Sequence, residues 1–171
     1  VREEQAELLS TWKLRELISR YSDYVSHPVL LEEMQYPTGE DEQEEPSKSF
    51  VQVNSGKALW QRPKNEVEPA EYNDFYKHLC HDWEDPLAYR HFKVEGTQLF
   101  TGLLFVPTRA PFDLFSAQHR RGVRLYVKRV FIMDDCEELI PQWLRFMKGI
   151  VDSDDLPLNV SRELLQDSRL V

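Results

Sequence analysis

Apolar residues recur at helical spacing in two parts of the chain. Between residues 5 and 25 they follow the i, i+3, i+4, i+7, i+11 spacing of one helix face, and the residues are Leu14, Leu17, Ile18, Tyr21 and Val25. This pattern predicts a helix that ends before Pro28. A second stripe follows Pro69, which suits a first helical position, and it contains Tyr72, Phe75, Tyr76, Leu79, Cys80 and Trp83. We expect this second helix to pack against a large apolar surface.

Short runs rich in β-branched and aromatic residues predict strands at 29–36, 90–94, 99–106 and 123–133. In the last of these, the apolar phase shifts after Val127, which indicates either a bulge or burial on both faces. The turn-forming residues at 54–56 lie between two further short runs, 50–53 and 57–62, and predict a hairpin there.

Pro141 predicts the start of a third amphipathic helix, which presents Trp143, Leu144 and Met147 and ends at Gly149. Helices that alternate with groups of strands predict the α/β class, as a three-layer α-β-α sandwich whose mixed sheet is covered by helices. We interpret residues 1–171 as one domain taken from a longer chain. Its core would cover about 1–155, and a loop with the start of the following helix would cover about 156–171.

Charge and composition exclude several function classes. The chain has 171 residues, of which 41% are apolar, and a formal net charge of −9, which argues against a free-standing nucleic-acid binder. Five of the six residues at 40–45 are acidic, so we predict a surface loop at 37–49 and assign it no function. There is no apolar run long enough to cross a membrane and no targeting segment, and two cysteines far apart in sequence are typical of a reducing compartment. We expect a cytoplasmic protein with two free thiols and no membrane or nucleic-acid partner.

His78, Cys80 and His81 form an H-x-C-H pattern, but no second His/Cys pair at ligand spacing completes a four-coordinate site. Since Cys80 also lies on the apolar stripe, we expect a structural thiol and no metal. The phosphate-binding motifs G-x-x-x-x-G-K-[ST] and G-x-G-x-x-G are absent, so we predict no nucleotide pocket within the chain itself.

The segment 152–166 passes from an acidic loop into a predicted helix that Ser161 can cap. Arg162 and Gln166 are four residues apart on one face, close to a helix amino terminus, where free N–H groups and the helix dipole favour an anion. The alternative is that Arg162 pairs with a neighbouring carboxylate such as Glu163. Spacing alone favours this alternative.

Several ordered blocks resemble the middle domain of the ninety-kilodalton heat-shock chaperone family. They are KALWQRPKNEV (57–67), EYNDFYKHLCHDWEDPLAYRHFKVEG (71–96), LFVPTRAPFDLF (104–115), RLYVKRVFIMDD (124–135), LIPQWLRFMKGIVDS (139–153) and DLPLNVSRELLQ (155–166). The resemblance covers most of the chain from about Trp12 onward. No long charged linker precedes the first helix, and Leu164 stands where cytosolic eukaryotic members often have Met. The resemblance is therefore to the bacterial branch, the high-temperature protein G type, or to an organellar relative.

This resemblance implies that ATP, with Mg²⁺, binds in a separate amino-terminal domain and that a carboxy-terminal domain forms the homodimer. In the family, an arginine of the N-[VL]-S-R-E motif reaches the γ-phosphate and a glutamine four residues later assists; these residues are Arg162 and Gln166 here. Asn159 and Ser161 would set the loop and the helix start. By this resemblance the fragment is a monomer and no enzyme by itself, although it is part of an ATPase in the full-length chaperone, which assists protein folding under stress.

Trp60 and Phe131 match family positions that are implicated in binding unfolded client proteins. For both residues the alternative is a place in the core, which is common for aromatic residues in strand-like runs. Two other classes remain open: a pure protein-interaction module, in which Arg162 is an ordinary surface charge, and a self-contained hydrolase, against which the missing phosphate-binding motifs argue.

Overall fold

The computed structural model describes residues 10–35, 47–96, 99–112, 114–116, 122–134, 136 and 139–156. The chain divides into two compact units, Val1–Lys57 and Ala58–Val171, and each is described by itself. The interpretation of residues 1–171 as one domain of a longer chain stays a prediction.

In the first unit, helix α1 (Thr11–Tyr21) begins at Ser10, whose hydroxyl oxygen accepts a hydrogen bond from the Lys13 N–H at 3.3 Å. The helix ends four residues before the predicted limit at Val25, and residues 1–9 lie outside the described part. Strands β1 (Leu30–Gln35) and β2 (Ser47–Gln52) pair antiparallel. The predicted strand at 29–36 is thus confirmed, whereas residues 47–49 of the predicted loop belong to β2.

The hairpin predicted around residues 54–56 is wrong, because Asn54 stabilises a different loop. Its side chain is buried; Oδ1 accepts from the Val29 N–H at 2.8 Å, and Nδ2 donates to the carbonyls of Val25 and His27, each at 3.0 Å. Strand β2 therefore pairs with β1 and not with the residues that follow Gly56.

In the second unit, five strands of the described chain form a mixed sheet in the order β3-β4-β7-β5-β6. The strands are β3 (Ala88–Glu95), β4 (Leu99–Val106), β5 (Gly122–Val127), β6 (Val130–Met133) and β7 (Lys148–Ser153). Strand β7 lies at the centre, where it pairs antiparallel with β4 and parallel with β5. The mixed sheet confirms the predicted α/β class.

The phase shift near Val127 marks a turn within the segment that the sequence predicts as one strand. Strands β5 and β6 form a hairpin whose turn residues, Lys128 and Arg129, have φ of 51° and 67°. Two successive positive φ angles are what a type I′ turn requires. The pairing register also shifts between Leu125 and Tyr126, as the bulge alternative predicts.

The third helix predicted from Pro141 is wrong. Residues Gln142–Leu144 form a short 3₁₀ turn, and Gly149, the predicted helix end, lies inside β7 with a φ of 148°. A Cβ on Gly149 would lie 2.2 Å from the Leu103 carbonyl oxygen, so the close approach of β4 and β7 requires glycine there.

Helix α2 (Pro69–Cys80) confirms the second predicted helix and covers one face of the sheet. The predicted stripe is wrong at Trp83, which lies beyond the helix end at Cys80 and is 94% exposed. Its start is stabilised by a hydrogen bond of 3.0 Å from the Glu68 N–H to Glu71 Oε2. The fully or almost fully buried residues on this face include Tyr72, Tyr76, Leu79, Leu103, Phe105 and Ile150. On the opposite face, buried residues of β5 pack with later segments; they are Val123, Leu125, Val127, Cys136, Ile140 and Leu156. The core thus lies on both sides of β7.

None of the helices within the described residues is both long enough and apolar enough to cross a membrane.

Candidate functional site

The residues that the resemblance assigns to the ATP phosphate, Arg162 and Gln166, come nine and thirteen residues after the end of β7 in the chain. Asn159, Ser161, Arg162 and Gln166 lie outside the described residues, which end at Leu156. The structure does describe where the chain leaves the sheet: β7 ends at Ser153, nine residues before Arg162, and the described residues continue to Leu156. The carboxyl end of β7 is therefore the described part of the candidate site.

The residues that follow β7, 154–156, are held by hydrogen bonds to Leu99 of β4 and to Ser153, the last residue of β7. The Leu99 N–H donates to Asp155 Oδ2 at 2.6 Å, and the Asp154 N–H donates to the Leu99 carbonyl at 3.4 Å. The Ser153 hydroxyl oxygen accepts from the N–H groups of Asp155 and Leu156 at 3.3 and 3.2 Å. The Leu156 side chain, only 2% exposed, is part of the core. The following segment thus starts from a well-defined point.

Asp152 in the central strand is a buried carboxylate, 1% exposed. Its Oδ2 accepts hydrogen bonds from Trp60 Nε1 at 2.9 Å and from Gln61 Nε2 at 3.0 Å. Its Oδ1 accepts from the Arg129 N–H in the β5–β6 turn at 3.2 Å. Burial of a carboxylate is costly unless donors replace water, and these three donors supply that replacement. The carboxylate consequently joins β7 to two other parts of the unit.

Trp60 lies in the core and none of its surface is exposed. Its ring is 5.9 Å from that of Phe75 and 5.4 Å from that of Tyr126, measured between centroids. This burial favours the core alternative that the sequence leaves open, because a direct contact with a client would require Trp60 to leave its site. Phe131 is half-buried, with its ring edge-to-face against Tyr126 at 5.6 Å. A client-binding role for either residue stays a prediction.

A second buried polar chain adjoins Trp60. His91 Nε2 lies 2.9 Å from the Trp60 carbonyl oxygen, and His91 Nδ1 lies 2.8 Å from the Tyr72 hydroxyl. Because a carbonyl oxygen only accepts, Nε2 must carry the hydrogen, and in the neutral ring Nδ1 then accepts from Tyr72. Burial lowers the pKa of His91, so the ring is held in its neutral form.

Sequence reasoning missed Asp152 and Gln61 as parts of the site. Asp152 was predicted to lie in the acidic loop that opens the segment 152–166, whereas it belongs to β7. The available signal was its position directly after the apolar pair Ile150-Val151. A carboxylate in that position needs partners. Those partners are 91 and 92 residues earlier, and nothing in the local sequence identifies them.

Exposed aromatic side chains were missed as well. Phe115 and Trp143 are 88% and 74% exposed, and they line a shallow groove together with Leu114, Gln142, Arg145 and Phe146. The guanidinium of Arg145 lies 5.5 Å from the centre of the Phe115 ring, which fits a cation–π contact. The sequence had placed Trp143 on a helix face, and that helix does not form.

The H-x-C-H residues do not come together as ligands. His78 is exposed, and His81 ends α2 in the left-handed conformation with a φ of 53°. Burial raises the pKa of the Cys80 thiol to about 11. Within the parts of the chain that the structure describes, no three His, Cys, Asp or Glu side chains are grouped so that they could hold a metal ion.

The mixed five-stranded sheet and the helix packed on it define an α/β domain. The family model described as Hsp90 protein matches residues 40–171, and the chain belongs to the Hsp90 family. This confirms the resemblance that the sequence blocks indicate.

Individual relatives agree with this assignment. The chain is 60% identical over 171 residues to the chaperone protein HtpG of Myxococcus xanthus, an alignment that covers 100% of this chain and 26% of the relative. Identity to HtpG of Salinispora arenicola is 56%, over 94% of this chain and 25% of the relative. Among solved structures, the middle domain of a Plasmodium falciparum heat-shock protein is similar, with 41% identity and a TM-score of 0.52. That alignment covers 64% of this chain and 42% of the other chain. The chain thus spans about a quarter of the length of the curated relatives it matches.

Proposed function

We propose that this chain acts as the middle segment of an ATP-dependent chaperone. Arg162 supplies its guanidinium to the γ-phosphate of ATP bound, with Mg²⁺, in a separate amino-terminal domain, and Gln166 assists. Asn159 and Ser161 set the loop and the helix start that carry these two residues. The observation that carries the proposal is the fixed exit of the chain from β7, together with 60% identity to a bacterial HtpG chaperone over the whole chain.

The electrostatics of phosphoryl transfer support these roles. Negative charge on the γ-phosphoryl oxygens has to be stabilised in the transition state, and a planar guanidinium presents several N–H donors to it. A donor from another domain contributes only after the domains close, so closure would control ATP turnover. The group has to arrive in a defined position, and the hydrogen bonds of Ser153, Leu99 and Asp155 fix the start of the segment that carries it.

The 171-residue chain would also contribute surface for unfolded or partly folded client proteins. Of the two candidate residues, Phe131 is half-buried and can offer part of its ring, whereas Trp60 is fully buried. The exposed aromatic residues Phe115 and Trp143 offer a larger apolar surface in the second unit. Exposed apolar area of this kind is typical of protein interaction sites.

In the full-length chain we expect a homodimer, formed outside this segment, that works in the cytoplasm. The isolated segment would be a monomer without ATP turnover, because the nucleotide pocket belongs to the amino-terminal domain.

The test is ATP turnover of the full-length chaperone that carries Arg162→Ala. A contact made in the transition state should lower kcat by about a hundredfold or more and leave ATP affinity nearly unchanged. Arg90→Ala is the control, since Arg90 is exposed on β3 and its replacement changes the net charge equally. Arg162→Lys should recover only part of the turnover, because an ammonium lacks the planar set of donors. Unchanged turnover in Arg162→Ala would leave Arg162 an ordinary surface charge and favour the interaction-module class.

A further inference from the structure

The Asp152 carboxylate joins three segments that are distant in sequence. Oδ2 holds Trp60 and Gln61 in the 3₁₀ turn Leu59–Gln61, and Oδ1 holds the Arg129 N–H in the β5–β6 turn. A charged side chain is a costly choice for a site that is 1% exposed. An apolar residue would fill such a site at lower cost but could not bind three donors.

The contacts of Asp152 are continuous with the exit from β7. Ser153, the next residue, accepts the Lys128 N–H at its carbonyl (3.0 Å), while its hydroxyl accepts the N–H groups of Asp155 and Leu156. Lys128 and Arg129 are the two turn residues with positive φ. The Lys128 N–H donates to Ser153 and the Arg129 N–H donates to Asp152, so the turn binds two consecutive residues of β7. Movement of the β5–β6 turn or of the 3₁₀ turn would therefore displace the strand end.

We infer that Asp152 is a positioning residue for the arginine-bearing segment, acting on Arg162 through the end of β7. The inference rests on the proposed function. It adds a specific route: the carboxylate sets where the chain leaves the sheet, and this sets how accurately Arg162 meets the phosphate. Misplacement of a catalytic group by about 1 Å can lower turnover strongly, because phosphoryl transfer depends on the aligned geometry.

The experiment uses the full-length chaperone with Asp152→Asn. The amide keeps the size of the side chain but has one acceptor oxygen, so it cannot accept from Arg129 on one side and from Trp60 and Gln61 on the other. We expect kcat for ATP to fall by about fivefold to tenfold, with KM within about twofold of the wild-type value. Asp74→Asn is the matched control, because Asp74 is exposed on α2 and loses the same charge. Its kcat should stay at the wild-type value.

A double-mutant cycle with Arg162→Ala separates positioning from a general structural loss. If Asp152 acts through Arg162, Asp152→Asn should lower kcat by less than about twofold once Arg162 is already Ala. If the full loss recurs in that background, Asp152 acts independently of Arg162 and the inference is overturned. A kcat in Asp152→Asn equal to that of Asp74→Asn would also overturn it.

Two further outcomes are distinguishable. If Arg162→Ala alone leaves kcat unchanged, the proposed function fails and the inference fails with it; if Arg162→Ala lowers kcat while Asp152→Asn does not, the inference alone fails. Should Asp152→Asn not fold, Gln61→Ala takes its place in the cycle, because Gln61 is exposed and its side chain binds Asp152 Oδ2 at 3.0 Å. For this milder change we expect kcat to fall by about twofold to threefold, and we expect no such loss when Arg162 is already Ala. No loss, or an equal loss in both backgrounds, would overturn the inference.

Discussion

The Tyr72 hydroxyl lies 2.8 Å from His91 Nδ1, so two buried side chains tie helix α2 to strand β3. The opposite ring nitrogen of His91 binds the carbonyl of Trp60, the residue whose indole binds Asp152. A neutral histidine satisfies both bonds at once, because one nitrogen donates and the other accepts.

The neutral state of His91 predicts a loss of stability in mild acid. Burial lowers the pKa of His91 in the folded state below its ordinary value of 6.5. The unfolded chain therefore binds the proton first as pH falls through about 6.5, and the free energy of unfolding decreases from there downward. Above that pH the ring is neutral in both states and contributes no pH dependence.

Urea unfolding between pH 5 and pH 8 checks this prediction, with His91→Gln as the comparison. Glutamine keeps a donor and an acceptor but does not titrate, and the other ionisable groups are shared by the two proteins. As pH falls below about 6.5, the free energy of unfolding of the wild type should decrease relative to that of His91→Gln. If the plots of unfolding free energy against pH stay parallel for the two proteins over this range, the prediction is contradicted.

The close approach of β4 and β7 at Gly149 predicts a large effect of one methyl group. In Gly149→Ala the new Cβ would meet the Leu103 carbonyl oxygen at 2.2 Å and Leu104 Cα at 2.9 Å, and both are backbone atoms of a central strand pair. The φ of 148° is also unfavourable for alanine. We expect a loss of at least about 2 kcal/mol of unfolding free energy.

Gly96→Ala is the control for that measurement, since a Cβ there meets nothing within 4 Å. Its effect should stay within about 0.5 kcal/mol of zero. Chemical denaturation of both variants gives the comparison. Equal stabilities would show that the two strands can separate at Gly149 without cost.

The environment of Cys80 predicts that its thiol reacts slowly with disulfide reagents. Burial raises the pKa of this thiol from 9.0 to about 11, against the opposing effect of the Lys148 and Arg124 charges. At neutral pH the thiolate fraction is then about a hundredfold below that of an unshifted cysteine, and its greater intrinsic nucleophilicity offsets only part of this. In a Cys136→Ala background we expect Cys80 to react with a disulfide reagent at least about tenfold more slowly in the folded chain than in urea. Similar rates in both conditions would contradict this.

The long apolar stripe after Pro69 was sufficient to predict α2, because a twelve-residue helix with one buried face leaves a periodic pattern. The strands of the sheet were likewise marked by their composition. The β5–β6 turn was missed because Lys128 and Arg129 lack the Asn-Gly or Gly composition that marks such turns. The third helix failed because Gly149 fits a helix end as well as a tight strand crossing, and only the distance to Leu103 distinguishes the two.

Less of the candidate site than of the fold could be predicted from residue patterns. Arg162 and Gln166 were singled out by their position near a helix start, but their spacing alone favours ordinary ion pairing, and the phosphate role comes from the resemblance. Asp152 could not be predicted to bind Trp60, since that hydrogen bond spans 92 residues and depends on the order of strands in the sheet.

That strand order has a consequence for synthesis of the chain. Among the described strands of the second unit, β7 is the last to be made, yet β4 and β5 both pair with it. Until residues 148–153 have left the ribosome, the β3–β4 and β5–β6 hairpins have no strand to join them, and each keeps an open edge. Contacts between residues so far apart in sequence form slowly, and open edges invite pairing with other chains. A nascent chain that pauses just before Lys148 therefore exposes two hairpins that only its next six residues can bring together.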